Sequence, residues 1–133
     1  MANDTQVTVN SAADIVTARE KGRALAVELG FIGSDLTMIA TAISEVARNI
    51  VDHAKKGKIM LAPIRNGHTR GISVVAKDEG PGIANIPLAM QYGYSSRQGL
   101  GVGLPGAKWL MDDFKIDTKI GKGTMITMKK WLH

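Results

Sequence analysis

The first pattern along the chain is alternation: Thr5-Gln6-Val7-Thr8-Val9-Asn10 places apolar side chains at every second position, which predicts a short strand over 5–10. Ser11, followed three residues later by Asp14, has the form of a capping box and opens a helix that runs to about residue 29, where Gly30 ends it. Ser34 caps a second helix, in which Leu36, Ile39, Ala40, Ile43, Ala47 and Ile50 recur at helical spacing through about residue 54. Beyond Gly57, residues 58–64 and 71–78 read as strands joined by the turn-forming Arg65-Asn66-Gly67, a hairpin. Residues 79–103 are too rich in glycine for one continuous element, so they form a long loop around a short helix near 86–91. A third helix over 104–112 and two strands, 114–120 and 124–131, joined across Gly121-Lys122-Gly123, complete the chain. Three helices among strands that pair mostly with sequence neighbours predict an α/β two-layer sandwich, a mixed, mostly antiparallel sheet covered by three helices.

Composition narrows the function classes. The 133 residues, 44% hydrophobic, suffice for one core, so residues 1–133 are read as a single domain. No apolar run approaches the ~18 residues of a membrane span, and MANDTQVTVN lacks the form of an export signal, which predicts a cytoplasmic protein with no membrane partner. The absence of cysteine excludes disulfides, thiolate zinc sites and a cysteine nucleophile. The net charge of +5 invites nucleic acid, but the basic residues are scattered and aromatics make up only 5%, so no nucleic-acid partner is expected. An acidic partner or a polyphosphate ligand suits this surface equally well.

Four features carry candidate chemistry. On the second helix, Met38, Ala42, Glu45 and Asn49 line up nearly opposite the core stripe, and Glu45 and Asn49 are neighbours one turn apart. A solvated face explains the polar pair, but Met38 and Ala42 on the same stripe point to a helix covered on both sides. Asp78 ends a strand with the side-chain parity of Ile72, Val74 and Ala76, at the edge of the core. It either caps the turn Asp-Glu-Gly-Pro-Gly or waits for a ligand N–H. In Gly99 to Gly106 (GLGVGLPG), alternate glycines allow backbone amides to approach a phosphate at a helix N-terminus, or form a purely mechanical loop. The stretch is neither a dinucleotide fingerprint, because no strand directly precedes it, nor a P-loop, because Lys108 is misplaced. Thr124, opening the last strand, shares parity with Ile126 and Met128 and directs its hydroxyl inward, or is simply a strand-favouring residue.

The order of these features is more specific than any one of them. Glu-x-x-x-Asn on a helix, Asp-x-Gly-x-Gly after a strand, a loop ending in Gly-x-Gly-x-Gly and Gly-Thr on a later strand resemble the four boxes of the GHKL (Bergerat-fold) ATPase superfamily, over roughly residues 34–131. The runs Ala42 to Ile50 and Gly101 to Lys108 are similar to the RsbT-type switch kinases of bacterial stressosomes. The resemblance implies ATP and Mg²⁺ as cofactors. Asp78 would accept from the adenine amino group, Gly80 and Gly82 would let the base lie close, and Thr124 would support the adenine end. Asn49 would be the Mg²⁺ ligand. Amides around Gly99, Gly101, Val102, Gly103 and Leu104 would hold the phosphates, Lys108 would neutralise their charge, and residues 84–98 would be a lid. Glu45 would be the general base of serine/threonine phosphorylation, since histidine kinases usually carry Asn there and chaperone or topoisomerase relatives need large further domains. STAS-domain scaffold or antagonist proteins would be the substrates, and a PP2C-type phosphatase or other effector the partner activated on release. An anti-sigma factor that binds a sigma factor directly, and a non-catalytic docking module, are the alternatives.

Overall fold

The computed structural model describes residues 4–90 and 103–133. Five strands form one sheet in the order β1-β2-β3-β5-β4, with β1 Thr5–Val9, β2 Gly57–Asn66, β3 Thr69–Asp78, β4 Asp113–Lys119 and β5 Gly123–Trp131. Helices α1 Ala12–Leu29, α2 Ser34–Asn49 and α4 Gly103–Leu110 pack on one face, and a short α3, Ile86–Ala89, lies in the long connection after β3. All four strand pairings are antiparallel, so the sheet is purely antiparallel rather than mixed. β2–β3 and β4–β5 are hairpins, and the helix pair between β1 and β2 brings the chain back to run opposite to β1.

The core forms where strand parity meets helix stripe. Val7, Val9, Ile59, Leu61, Ile72, Val74, Ala76, Ile126 and Met128 share one face of the sheet and are buried against Leu25, Ile39, Ile43, Val46 and Leu104 from the helices. Helix α2 lies between α1 and α4, and its buried residues, Ile39, Ala40, Ala42, Ile43, Ser44, Glu45, Val46 and Ala47, cover far more than one stripe. Alanines on the flanks allow this close packing from two sides. The double cover anticipated from Met38 and Ala42 is therefore present.

Helix ends follow local chemistry. At the start of α1, Asp14 accepts from the Asn10 N–H at 2.8 Å and the Ser11 hydroxyl at 3.3 Å, but the Ser11 side chain bonds no helix N–H, so the predicted capping box is replaced by a bond to the residue before the cap. Gly30, at φ 107°, closes α1, with the Phe31 N–H reaching the Ala26 carbonyl at 3.0 Å. Ser34 is the first helical residue of α2 rather than its cap, a place taken by Gly33 at φ 63°. The predicted single helix over 34–54 is α-helical only to Asn49, and Ile50–Ala54 widen into a π-turn. Lys55, at φ 75°, donates its N–H back to the Ile50 carbonyl at 2.9 Å and turns the chain into β2. Buried Lys130 of β5 donates from Nζ to the Leu110 carbonyl at 2.8 Å, capping the end of α4.

A candidate nucleotide site at the end of the sheet

The antiparallel register sets three polar side chains in one row. Asp78 of β3 lies opposite Thr124 of β5, and Thr124 lies opposite Thr118 of β4. Asp78 Oδ1 accepts from the Gly80 N–H at 2.9 Å and from the Thr124 N–H at 3.3 Å. The turn-capping reading of Asp78 thus holds, and it uses only one oxygen. Among the described residues no donor reaches Oδ2, a half-buried acceptor with room for a ligand N–H. Thr124 is buried and pairs with the Thr118 hydroxyl at 2.9 Å, while Thr118 also accepts from the Ile83 N–H at 2.9 Å. One hydroxyl thereby ties the loop after β3 to the last hairpin.

The glycines of this corner are required by the protein's own packing. A Cβ on Gly80 would lie 2.6 Å from the Ala54 Cβ, and one on Gly82, at φ 82°, 2.5 Å from the Lys119 carbonyl oxygen. Gly80 therefore makes room for the π-turn after α2, and Gly82 for the strand end of β4. Gly123, at φ 134°, is pressed against the Asp78 carbonyl, which is why the last strand opens with glycine before Thr124.

The second half of the site lies on α2 and α4. Glu45 is 7% exposed, and both its oxygens are engaged: Oε1 accepts from the Gly103 N–H at 3.1 Å and Oε2 from Arg48 at 3.0 Å. A carboxylate thus sits at the N-terminus of α4, where unpaired amides and the helix dipole favour negative charge. Half-buried Asn49, one turn on, lines a small crevice with Glu45, Arg48, Asp52, His53, Gly103 and Leu104. Asn49, His53 and Leu104 also border a cavity of about 280 Å³ whose other wall is Pro81, Gly82 and Ile83.

The predicted residues are therefore brought together in two groups. Asp78 and Thr124 border one open cleft at the end of the sheet. Glu45, Asn49, Gly103 and Leu104 border the crevice, and Gly82 joins Asn49 in the neighbouring cavity. Lys108 belongs to neither group. It is exposed in the last turn of α4, beside Met90, Pro105 and Trp109, because a helix rises about 1.5 Å per residue and carries position 108 away from its own N-terminus. Gly99, Gly101, Val102 and most of the lid expected over 84–98 lie outside the described residues. Thr118 and Arg48 also border the candidate site without having been singled out from the sequence, Gly123 enters there only as the glycine before Thr124, and His53, taken from the sequence for a surface or packing histidine, lines the crevice. Thr118 and His53 were both within reach, since a hairpin centred on Gly121 places Thr118 opposite Thr124 and a spacing of four residues places His53 one turn past Asn49.

These features fit a nucleotide. Asp78 Oδ2 is an unclaimed acceptor beside buried apolar and hydroxyl groups, and the N-terminus of α4 already holds an anion in the form of the Glu45 carboxylate. Among the described residues no cluster of three or more His, Cys, Asp or Glu side chains is placed to hold a metal ion by itself. A divalent cation here would be held by few protein ligands together with phosphate oxygens, which suits Asn49 and Mg²⁺.

An antiparallel sheet covered by helices on one face, with a carboxylate at its end and a helix N-terminus across the cleft, defines an ATP-binding domain of the GHKL class. The chain belongs to the histidine kinase-like ATPase domain family, whose profile matches residues 8–130. It is similar to the serine/threonine-protein kinase RsbT of Bacillus subtilis (strain 168), with 48% identity over 120 residues covering 90% of each chain. It is also similar to the anti-sigma F factor of Thermoanaerobacter sp. (strain X514), with 31% identity over 121 residues, 86% of this chain and 83% of that one. Among solved structures, the RsbU and RsbW domains of Rv1364c from Mycobacterium tuberculosis superpose with a TM-score of 0.65 at 22% identity, over 96% of this chain and 32% of that one. The SiaB-SiaC complex from Pseudomonas aeruginosa gives 0.55 at 12% identity, over 97% and 89%. Both likenesses concern the fold.

Proposed function

We propose that the protein is a serine/threonine protein kinase that transfers the γ-phosphoryl group of ATP to a STAS-domain protein in a partner-switching pathway of stress signalling. The 48% identity to a serine/threonine kinase over 90% of the chain supports this reading. The observation that carries it is the Glu45 carboxylate at the N-terminus of α4, one turn before Asn49. Asp78 Oδ2 accepts from the adenine amino group, while Oδ1 stays on its two backbone donors. Asn49 would hold Mg²⁺, which would offset the charge of the phosphates. The Gly103 N–H passes from Glu45 to a phosphate oxygen, which frees the carboxylate to take the proton of the incoming hydroxyl. The hydroxyl oxygen then bonds to the γ-phosphorus as the bond to ADP breaks. STAS-domain scaffolds are the substrates and a PP2C-type phosphatase or another effector is the partner engaged on release, all in the cytoplasm. No helix among the described residues is long and apolar enough to cross a membrane.

Incubating the protein with Mg-ATP and a purified STAS-domain protein, then reading phosphoserine and phosphothreonine by mass spectrometry, tests the proposal. Modified substrate with the parent chain and about 10²–10⁴-fold slower modification with Glu45→Gln is the expected result. Absence of transfer from the parent chain, with ATP still bound, would leave a docking module in its place. The 31% identity to anti-sigma factors favours a second reading, in which a sigma factor is also bound. A pull-down with purified sigma factor beside STAS protein separates the two.

A further inference from the structure

The face of the sheet turned away from the helices has a chemistry the nucleotide site does not use. Strand parity places Met60, Ala62 and Ile64 of β2, Val75 of β3 and Met125 and Trp131 of β5 on it, all only half-buried although no helix covers them. Met60 lies opposite Val75, and Met125 opposite Lys77, so the apolar positions run as one diagonal band. The indole of Trp131 lies over Gly71, where a Cβ would come within 2.7 Å of the ring. On the strands of this face stand Lys58, Lys77, Lys115, Lys119 and Lys129 against two acids, Asp113 and Asp117, with Glu79 just past the end of β3. Both acids are already committed, Asp113 to the Trp131 indole N–H at 3.0 Å and Asp117 to Lys115 at 3.8 Å. Among the described residues, Lys58, Lys77, Lys119 and Lys129 have no acidic partner.

We infer that this face docks an acidic amphipathic helix of a partner protein, its apolar stripe on the Met60, Val75 and Met125 band and its carboxylates on the flanking lysines. Methionine-bearing surfaces adapt to such stripes, and unpaired lysines at the rim supply the complementary charge. At the end of the band next to Lys58 and Lys77 lies a groove of about 400 Å³, bordered also by Lys56, Asp78 and Glu79, in which the three lysines outnumber the two carboxylates. A second copy of this chain fits poorly, because a twofold contact would set the uncommitted lysines against one another. The docking face adjoins the candidate nucleotide cleft and shares Lys77, Lys119 and Met125 with it, whereas Lys58, Met60 and Lys129 lie outside that cleft, so substitutions at those three test docking without touching the nucleotide site.

The probe is a fluorescent helical peptide with leucine on one face and glutamate on the others, beside a control in which lysine replaces every glutamate. Anisotropy titration should show binding of the glutamate peptide, weakening as salt is raised, and at least about tenfold loss in the double variant Lys58→Glu, Lys129→Glu. Met60→Asp should cause a comparable loss, and amide shifts on peptide addition should fall on β2, β3 and β5. Unchanged thermal midpoints and ATP affinity in these variants would confirm that the fold and nucleotide site are intact. Failure of the glutamate peptide to bind, equal binding of the lysine peptide, or unchanged affinity in both variants would overturn the inference. So would self-association of the unliganded chain that Met60→Asp abolishes, because the occupant would then be a second copy.

Discussion

Asp78 has one carboxylate oxygen committed to the fold and one open to the proposed ligand. Its Oδ1 holds the Gly80 and Thr124 amides, and its Oδ2 has no donor among the described residues. Asp78→Asn can keep both backbone bonds while turning an amide donor toward the adenine amino group. Nucleotide affinity should fall by about 1–3 kcal/mol, roughly 5–150-fold in Kd, with the thermal midpoint little changed. Calorimetric titration with ATP reads this, and parental affinity in the variant would remove Asp78 from the adenine subsite. Glu45 is bound at both oxygens, by Gly103 and Arg48, so its substitution has two separable consequences. Glu45→Gln removes a negative charge from the phosphate end of the site, and Mg-ATP should bind as tightly as before or a few-fold more tightly. Phosphoryl transfer should nevertheless fall by about 10²–10⁴, the usual worth of a positioned general base. Asn49→Ala should weaken Mg²⁺-dependent binding itself together with turnover. If Glu45→Gln transfers phosphate at the parental rate, catalysis rests on positioning and charge alone.

At the scale of elements, the site depends on how α2 ends. The π-turn over Ile50–Ala54 brings Ala54 against Gly80, so the helix that carries Glu45 and Asn49 is braced on the loop that follows Asp78. Gly80→Ala would place a Cβ 2.6 Å from the Ala54 Cβ and 2.8 Å from its Cα. It should destabilise the fold by about 1–3 kcal/mol, a fall of roughly 3–5 °C in Tm for each kcal/mol in a chain of this size. Because the clash is between two groups, Ala54→Gly should recover part of the loss, and a double-mutant cycle on thermal or urea denaturation measures that coupling. Additive effects would mean that the two segments do not bear on each other.

For the whole molecule, the two halves of the site belong to distant parts of the chain. Glu45 and Gly103 are 58 residues apart and Asp78 and Thr124 are 46 apart, so a ligand spanning both halves ties α2, α4 and the end of the sheet together. Mg-ATP at about 100 times its Kd should add roughly 2.7 kcal/mol of stability, which differential scanning fluorimetry would read as a rise of about 8–13 °C. Asp78→Asn at the same nucleotide concentration should show a much smaller rise. An equal rise in both would place the nucleotide elsewhere.

Local pattern was sufficient for most of the architecture. Alternation in β1, β3 and β5, helical spacing in α1 and α2 and the glycine turns gave the elements, since burial period and turn chemistry are properties of neighbouring residues. The ordered boxes also gave the family, which the match over residues 8–130 bears out. What the sequence left open was decided by contacts between segments far apart in the chain. That Asp78 caps a turn with Oδ1 alone was decided by the pairing of β3 with β5, which gave Oδ1 its second donor and left Oδ2 without one among the described residues. Whether the Glu45 face met water was settled by α4 packing on α2. The end of α2 was decided by Ala54 meeting Gly80, and the place of Lys108 by where α4 begins, neither of which a periodic pattern encodes. A sequence lists the groups that need partners, and only the tertiary fold, which pairs residues without regard to their separation along the chain, determines which partner each receives.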